Sequence, residues 1–323
     1  MSSSDTLIIF ILEKINIYLY RYIVSILFVL SNIGNILSFI IFLKKSWRKY
    51  VCVFYFYVCL AISTCYINSS MLSTIFTKGF DIHVENSNVI LCKFFYYISY
   101  VFATLSPTTL IWASIDRLFI SSQNTNLRFY SSRRLGYLTT SVNTVCWLIF
   151  YSHALVKIGI YDNVCYYDLD GIYFQFISIS TLSIGIITSI ILNILVIITF
   201  KNVRQIHLIP RQQRQQIRPM HRKDFQLLRC LYALDVAHIF FTGFIGLYYV
   251  YDSVTKSSSL SPIHQAIKHF LDGFTLFLCH IFYCIDFPIF ISISKTFRQD
   301  VKQIMSTIFY HKLRRIPTIV IRP

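Results

Sequence analysis

Asp116 and Arg117 are neighbours in a chain whose long stretches are mostly apolar, and together they could form an ion pair away from water. Two more acids, Asp235 and Asp286, each interrupt a long apolar run. A carboxylate at such a position is costly, so each acid is either a functional group or a neutral acid hydrogen-bonded between helices. These residues offer ion pairing and protonation inside an apolar environment.

The short motifs of common enzymes do not occur in the sequence. There is no His-Glu-x-x-His pair for zinc, no Gly-x-Ser-x-Gly elbow for a serine nucleophile and no phosphate-binding loop. The isolated acids Asp235 and Asp286 lack the Gly and Tyr contexts of intramembrane aspartyl proteases. We therefore expect no enzyme, no catalytic residue, no metal site and no cofactor.

The composition indicates that a membrane surrounds these residues. Of the 323 residues, 55% are hydrophobic and only 14% are charged, whereas a soluble domain carries roughly 25% charged residues. Seven runs are long enough to cross a bilayer, since about 20 apolar residues span its hydrocarbon core. They are Tyr22–Leu43, Tyr50–Thr77, Phe94–Ile115, Leu135–Val156, Gly171–Phe200, Cys230–Tyr251 and Gly273–Ser294. The predicted fold class is an all-α bundle of seven transmembrane helices.

The basic residues predict the orientation of this bundle. Most of the 30 Lys and Arg residues follow the first, third, fifth and seventh runs, and few acids accompany them. Because basic residues accumulate on the cytoplasmic side, the C-terminus is predicted inside and the short N-terminus outside. The net charge of +16 is then a topology signal and not a nucleic-acid footprint. The expected partner is the lipid bilayer, with no nucleic acid.

The third run connects an outer cysteine to the inner Asp-Arg pair. Cys92 and Arg117 are separated by 25 positions, which corresponds to about 37 Å of helix. Cys165 lies in the next outer loop, on the oxidising side of the membrane where disulfides persist. The two cysteines are either bridged, which would hold this loop over the third helix, or two free thiols.

These landmarks together resemble the rhodopsin-like (family A) G-protein-coupled receptors over nearly the whole chain. The residue patterns of Lys201–Arg204 and of Arg222-Lys223-Asp224 are similar to those of invertebrate peptide-receptor-like members. The matching positions are Gly34-Asn35, Leu60-Ala61, Cys92, Asp116-Arg117, Trp147, Cys165, Pro288 and Phe297-Arg298.

The resemblance implies a plasma-membrane receptor with three parts. Residues 1–21 would be a short extracellular N-terminus, residues 22–294 the transmembrane domain, and residues 295–323 a short amphipathic cytoplasmic helix with a basic tail. Such a receptor passes the signal of an extracellular ligand to a heterotrimeric G protein by outward movement of the sixth helix.

The family's switch residues carry over to four positions of this chain. Arg117 would pair with Asp116 and also reach across to Asp224 on the sixth helix, and Pro288 would mark the switch region of the seventh. The alternative is that Arg117 merely marks the cytoplasmic side. Breaking the pairs would let the sixth helix move outward and admit a G-protein helix.

The chain also departs from the family's pattern. Thr64 stands where the family has a sodium-binding acid after Leu-Ala, and only Pro288 remains of the Asn-Pro-x-x-Tyr motif. The fourth, fifth and sixth spans have no proline, so Gly185 and Gly243 are expected to supply the helix irregularity. These losses leave two alternatives open: a drifted orphan receptor with weak or no G-protein coupling, or a membrane transporter or channel.

The ligand prediction rests on exclusion and on the outer aromatic residues. Ser99 occupies the position where amine receptors have an aspartate, and Ile281 the position of the retinal lysine in opsins. Tyrosines with a slightly acidic rim favour a peptide with basic or amidated ends, although they also fit an interfacial aromatic belt. The predicted pocket residues are Tyr96, Ser99, Tyr100, Asp168, Tyr248 and Asp272.

Overall fold

Helices make up nearly all of the secondary structure in the described part of the chain. The two strands there, β1 (Ile158–Tyr161) and β2 (Val164–Tyr167), form one antiparallel hairpin in which Ile160 is opposite Cys165. The computed structural model describes residues 3–122, 127, 130–161, 164–167, 172–208, 222–255 and 261–314.

Eight long helical segments, labelled α1 to α8, follow one another in these ranges. They are α1 (residues 3–42), α2 (residues 51–79), α3 (Val89–Ser121), α4 (Arg133–Phe150), α5 (Ile172–Leu208), α6 (Arg222–Thr255), α7 (Pro262–Cys284 and, after a bend, Asp286–Ile293) and α8 (Lys295–Arg314).

Two of the segments are continuous helices with π-helical turns inside them. In α1 the turn Leu19–Val24 joins Ser3–Tyr18 to Ser25–Phe42. The connections between segments also contain short helices. α2 consists of Val51–Tyr66, Ile67–Met71, Leu72–Thr74 and Ile75–Gly79. The short connecting helices are Lys45–Arg48, Val84–Ser87 and Ser152–Lys157.

The apolar runs of the sequence form helices of membrane-crossing length. Five segments (α1, α2, α3, α5 and α6) are each long and apolar enough to cross a bilayer, and α7 is a sixth if its bent halves count as one span. Helices satisfy their backbone hydrogen bonds internally, as an apolar environment requires. The prediction of an all-α, multi-pass membrane protein is therefore confirmed at this level.

The fourth predicted span is the one that does not meet this criterion. The sequence predicted it as Leu135–Val156, but α4 ends at Phe150 and a turn at Tyr151 separates it from Ser152–Lys157. Several threonines and Asn143 also make α4 less apolar than the other segments. A seventh crossing stays a prediction.

The first helix begins earlier than the predicted span. α1 begins at Ser3, so the residues predicted as a short extracellular N-terminus are helical and continuous with the first span, and their extracellular location stays a prediction. Tyr20 is fully buried, and its hydroxyl donates a 2.7 Å hydrogen bond to the Gly273 carbonyl. This part of α1 therefore packs against the N-terminal part of α7, at the end of the bundle that is named outer after the sequence prediction; the opposite end is named inner.

α3 lies at the centre of the bundle and contacts α2, α4, α5 and α6. α7 packs between α6 and α1, and its inner half leads into α8, which turns back along the inner end of α1. Aromatic side chains fill the inner end where α1, α2, α7 and α8 meet. They are Phe42, Trp47, Phe56, Phe290 and Phe297, all buried.

The α8 helix is present where the resemblance implied an amphipathic helix. Asp300 joins it to the connection after α1: Lys44 Nζ lies 2.6 Å from Asp300 Oδ1, and Trp47 Nε1 donates to Oδ2 at 2.8 Å. Phe297, fully buried, anchors its first turn. The helix is thus fixed to the bundle by one carboxylate and one aromatic ring.

Candidate functional site

The outer end of α3 is covalently attached to the β1–β2 hairpin. Cys92 and Cys165 form a disulfide, and both are buried against Ile158 and Ala154. The Cys165 amide donates a 2.8 Å hydrogen bond to the Asn86 side chain, and Asn88 caps α3 by accepting from the Ile90 amide. These contacts hold the hairpin over the top of the helix, as one of the two sequence alternatives predicted.

The inner end of α3 holds the Asp-Arg pair in a buried position. Arg117 Nη2 lies 2.9 Å from Asp116 Oδ2, with side-chain exposures of 1% and 5%. The second oxygen, Oδ1, accepts a 2.6 Å hydrogen bond from Ser131 Oγ, in the connection to α4. Asp116 therefore holds the guanidinium on one side and the connection to α4 on the other.

Asp224 is the predicted partner of Arg117 on the sixth helix. Asp224 lies in the first turn of α6, but its side chain is outside the described residues. The reach from Arg117 to Asp224 therefore stays a prediction.

Asp235 is buried between α6 and α3, with 2% of its surface exposed. Ser114 Oγ lies 3.4 Å from Asp235 Oδ2, and Oδ1 has no hydrogen-bond partner within the described residues. The described hydrogen bond of this carboxylate is therefore to a serine of α3. This arrangement corresponds to an acid hydrogen-bonded between two helices.

Asp286 is buried at the bend of α7 and contacts α2. Ser63 Oγ donates to Asp286 Oδ2 at 2.9 Å. Nearby, Asn35 on α1 donates to Thr64 Oγ1 at 3.1 Å, so Thr64 still links α1 and α2 without the family's acid. Polar groups therefore cross-link three helices at this depth.

A bend of 49° separates the two halves of α7. The bend falls at Ile285, three residues before Pro288. In a straight helix the proline ring would clash with the backbone carbonyl four residues earlier. Pro288 thus has a visible structural effect at the position where the sequence predicted a switch element.

One link between α3 and α7 was not foreseen from the sequence. Pro107 lies inside α3 and has no amide hydrogen, so the Ala103 carbonyl four residues earlier lacks its usual helical donor. The Tyr283 hydroxyl donates to that carbonyl at 3.3 Å. The proline was the available signal, but only the packing of α7 shows which side chain replaces the amide.

His280 forms a second unforeseen link, between α7 and α2. It is fully buried, with Nδ1 3.1 Å from the Tyr66 hydroxyl and Nε2 3.0 Å from Thr74 Oγ1. The Tyr66 ring also stacks on Tyr283, with the ring centroids 3.7 Å apart. The α2–α7 interface is therefore held by polar and aromatic contacts together.

A cavity of about 360 Å³ lies in the outer half of the bundle, bordered by α2, α3, α5, α6 and α7. Its size lies within the usual range for small-molecule sites. Ser99 and Tyr100, two of the predicted pocket residues, line it, and so do Pro107 and Tyr283. A ligand in this cavity would contact both the proline of α3 and the tyrosine that supports it.

The other predicted pocket residues lie elsewhere. Tyr96 packs against the disulfide cluster, and Tyr248 is absent from the cavity lining although Tyr249 is part of it. Asp272 forms an ion pair with Lys78 of α2. Asp168 lies outside the described residues.

Two further sequence expectations concern metal-binding groups and irregular helix turns at glycine. In the ranges that the structure covers, no three His, Cys, Asp or Glu side chains are grouped to hold a metal ion. Gly185 and Gly243 were expected to disturb α5 and α6, but both helices run through them without a break and the glycines border the cavity. Neither glycine interrupts its helix, so the expected irregularity is not found as a break at these positions.

No protein-family model matches the chain, and no curated protein is similar to it at the level that indicates common ancestry.

Proposed function

We propose that this chain is a seven-helix receptor of the plasma membrane that passes the signal of a ligand in the outer cavity to a heterotrimeric G protein. The observation that carries the proposal is the organisation of α3. This one helix holds the disulfide at its outer end, borders the cavity in its middle and holds the Asp116–Arg117 pair at its inner end.

In this proposal α4 is the seventh crossing. Its 18 residues give about 27 Å of helix, close to the roughly 30 Å hydrocarbon core. The Trp147 indole donates to Thr108 of α3 at 3.1 Å, which holds α4 against the central helix. The N-terminus is then outside and the C-terminus in the cytoplasm, as the basic residues predict.

The proposed mechanism is a two-state equilibrium of the inner end. In the state described, Arg117 is paired with Asp116 and buried. A ligand that binds the other state more tightly shifts the population towards it, and only this difference in affinity drives the change. In that second state α6 moves outward and Arg117 becomes accessible to the G protein.

A peptide ligand was predicted from the outer tyrosines and the acidic rim. Asp272, which was to attract a basic peptide, already has Lys78 as its partner. The peptide prediction is tested by a peptide-library screen on cells expressing the chain, read through a promiscuous G protein.

The coupling test needs no ligand. Asp116→Asn retains the size of the side chain and weakens its hold on Arg117, so this variant should raise basal nucleotide release from purified G proteins. Adding Arg117→Ala to Asp116→Asn should abolish the increase. Arg134→Ala, an exposed arginine on the same side, is the matched control and should leave nucleotide release unchanged.

Two results would count against the proposal. If no member of a panel of heterotrimeric G proteins responds to folded, surface-expressed Asp116→Asn, the drifted-receptor alternative is favoured. If impermeant labels reach both chain ends from the same side of the membrane, the seven-crossing topology fails and the receptor proposal with it.

A further inference from the structure

The cavity lacks the groups that recognise a charged ligand. Within the described part of the chain, no Asp, Glu, Lys or Arg side chain lines it. Its walls combine aliphatic side chains and glycines with neutral hydroxyl, amide and imidazole groups. A charged molecule would lose its hydration in this cavity without an opposite charge to replace it, which is a large cost.

The cavity also extends around the side of α5. Thr188, with 4% of its surface exposed, faces the bundle interior, whereas Ile186 and Ile190 are 50% and 54% exposed. Each isoleucine is two positions from Thr188, which is about 200° of rotation around the helix. All three residues line the same cavity. The cavity therefore continues from the interior to the lipid-facing surface.

Two glycines keep this side opening free. A Cβ atom built on Gly185 of α5 or on Gly243 of α6 would meet no other atom within 4 Å. One turn further out, at Gly246, the helices approach again, and a Cβ there would lie 3.1 Å from Leu182. The gap between α5 and α6 is thus a local opening at mid-helix and not a general separation.

One polar group in the cavity wall lacks a hydrogen-bond partner among the described residues. His238 of α6 lines the cavity with 3% of its surface exposed. Its Nδ1 is 3.3 Å from Thr242 Oγ1, and its Nε2 has no hydrogen-bond partner among the described residues. A buried polar atom without a partner is costly, so a ligand hydroxyl or carbonyl at Nε2 would remove that cost.

From these observations we propose that the cavity binds a neutral lipophilic molecule with one hydrogen-bonding group, which enters from the bilayer between α5 and α6. The apolar part lies along Gly185 and Gly243, and the polar end bonds to His238. This inference rests on the proposed function, since the cavity is where the receptor's activating ligand would bind. It gives that ligand a chemical class other than the predicted peptide.

The test uses a long-chain fatty alcohol that carries a diazirine and an alkyne, with the full chain in nanodiscs. After illumination, mass spectrometry should find adducts on the peptides around residues 185–193 and 238–246. An excess of unlabelled alcohol should remove these adducts. It should leave the adducts on the outward face of α1, around residues 26–36, unchanged, because those reflect simple lipid contact.

Charged probes and cavity variants make the test specific. Probes of equal length with a sulfonate or a quaternary ammonium head should not give the competable adducts. Gly243→Leu and, separately, Gly185→Leu should abolish them by filling the opening. The control Ile187→Phe adds bulk at a 56% exposed position outside the lining and should change nothing.

The polar anchor has its own variant. His238→Leu should weaken competition by the alcohol about fivefold to tenfold, as the loss of one buried hydrogen bond predicts. Competition by the alkane of the same length should stay as it is in the unmodified chain.

The proposal fails if labelling is equal on all lipid-facing surfaces, if Gly243→Leu and Gly185→Leu leave it unchanged, or if the charged probes label equally well. No G protein takes part in this assay. If the chain binds the alcohol but does not stimulate nucleotide release from G proteins, the receptor proposal is refuted and the binding proposal stands.

Discussion

The interface of α1 with α7 and the interface of α5 with α6 use glycine in opposite ways. A Cβ on Gly34 of α1 would lie 2.7 Å from Phe287 Cβ, and one on Gly273 of α7 would overlap the Asn16 side chain. At Gly185 and Gly243 the same atom would meet nothing. The first pair of glycines allows two helices to touch, whereas the second pair maintains an open space.

The difference extends to the polar contacts around each interface. The α1, α2 and α7 side is cross-linked by buried pairs such as Ser63–Asp286 and Tyr66–His280. Buried polar atoms without a partner among the described residues occur on both sides, for example Asn16 Oδ1 on α1 and His238 Nε2 on α6. The two sides differ in packing and in the number of hydrogen bonds between helices. Because dense packing and such cross-links resist deformation, we expect the first side to be the fixed frame and the second the movable one.

The largest expected effect comes from closing the tightest contact. Gly34→Ala places a methyl group against Phe287 Cβ, close to the α7 backbone, so the helices must separate. We expect the free energy of unfolding in detergent micelles to fall by about 1–3 kcal/mol. Titration with a denaturing detergent, followed by circular dichroism, measures this change. Unchanged stability would show that α1 and α7 are not in contact at this position.

The next effect comes from removing a polar cross-link on the same side. His280→Phe retains a ring of similar size but leaves the Tyr66 and Thr74 hydroxyls without their imidazole partner. Hydrogen bonds between membrane helices are modest, so the expected loss is about 1–2 kcal/mol.

The thermal unfolding midpoint in nanodiscs measures the His280→Phe effect. The control is His269→Phe, at an exposed position on the same helix, which should leave the midpoint unchanged. Equal midpoints for the two variants would mean that the α2–α7 cross-link does not contribute to stability.

The smallest effect, and one of opposite sign, is expected on the open side. Gly243→Ala adds a methyl group where no atom lies within 4 Å and replaces a residue that weakens helices. Unfolding stability should rise by about 0.5–1 kcal/mol. Denaturation curves of Gly243→Ala and Gly34→Ala should be measured side by side. The same change from glycine to alanine should stabilise the protein at position 243 and destabilise it at position 34. Destabilisation by Gly243→Ala would mean that the gap is closed in the membrane.

The helices themselves could be predicted from the sequence, but their ends could not. Long apolar runs predicted that α2, α3, α5, α6 and α7 exist, because apolar length decides whether a helix can cross a bilayer. However, α6 begins at Arg222 and α7 at Pro262, well before the predicted runs. α1 begins much earlier than predicted, and its first part, Ser3–Tyr18, packs against α7. α4 ends earlier, at the Tyr151 turn, for which the hydrophobic pattern carried no signal.

The candidate site could be predicted in part. The outer cysteines and the Asp116–Arg117 pair were found because their residue types and spacing are unusual in an apolar chain. Of the predicted pocket residues, only Ser99 and Tyr100 line the cavity in the described part of the chain. The position of a residue along the helix does not say whether its side chain faces the centre of the bundle. Lys78 is distant in sequence from Asp272, so nothing in the pattern predicted that this acid already has a partner.

The sequence by itself determined that the chain forms long apolar helices and where charged groups interrupt them. These properties follow from composition along a single helix. Only the tertiary structure decided that Gly34 permits a contact while Gly243 leaves a gap, and that Tyr283 supports the Ala103 carbonyl beside Pro107. Such roles depend on which neighbouring helix faces each residue, and that is fixed by packing between segments far apart in the chain.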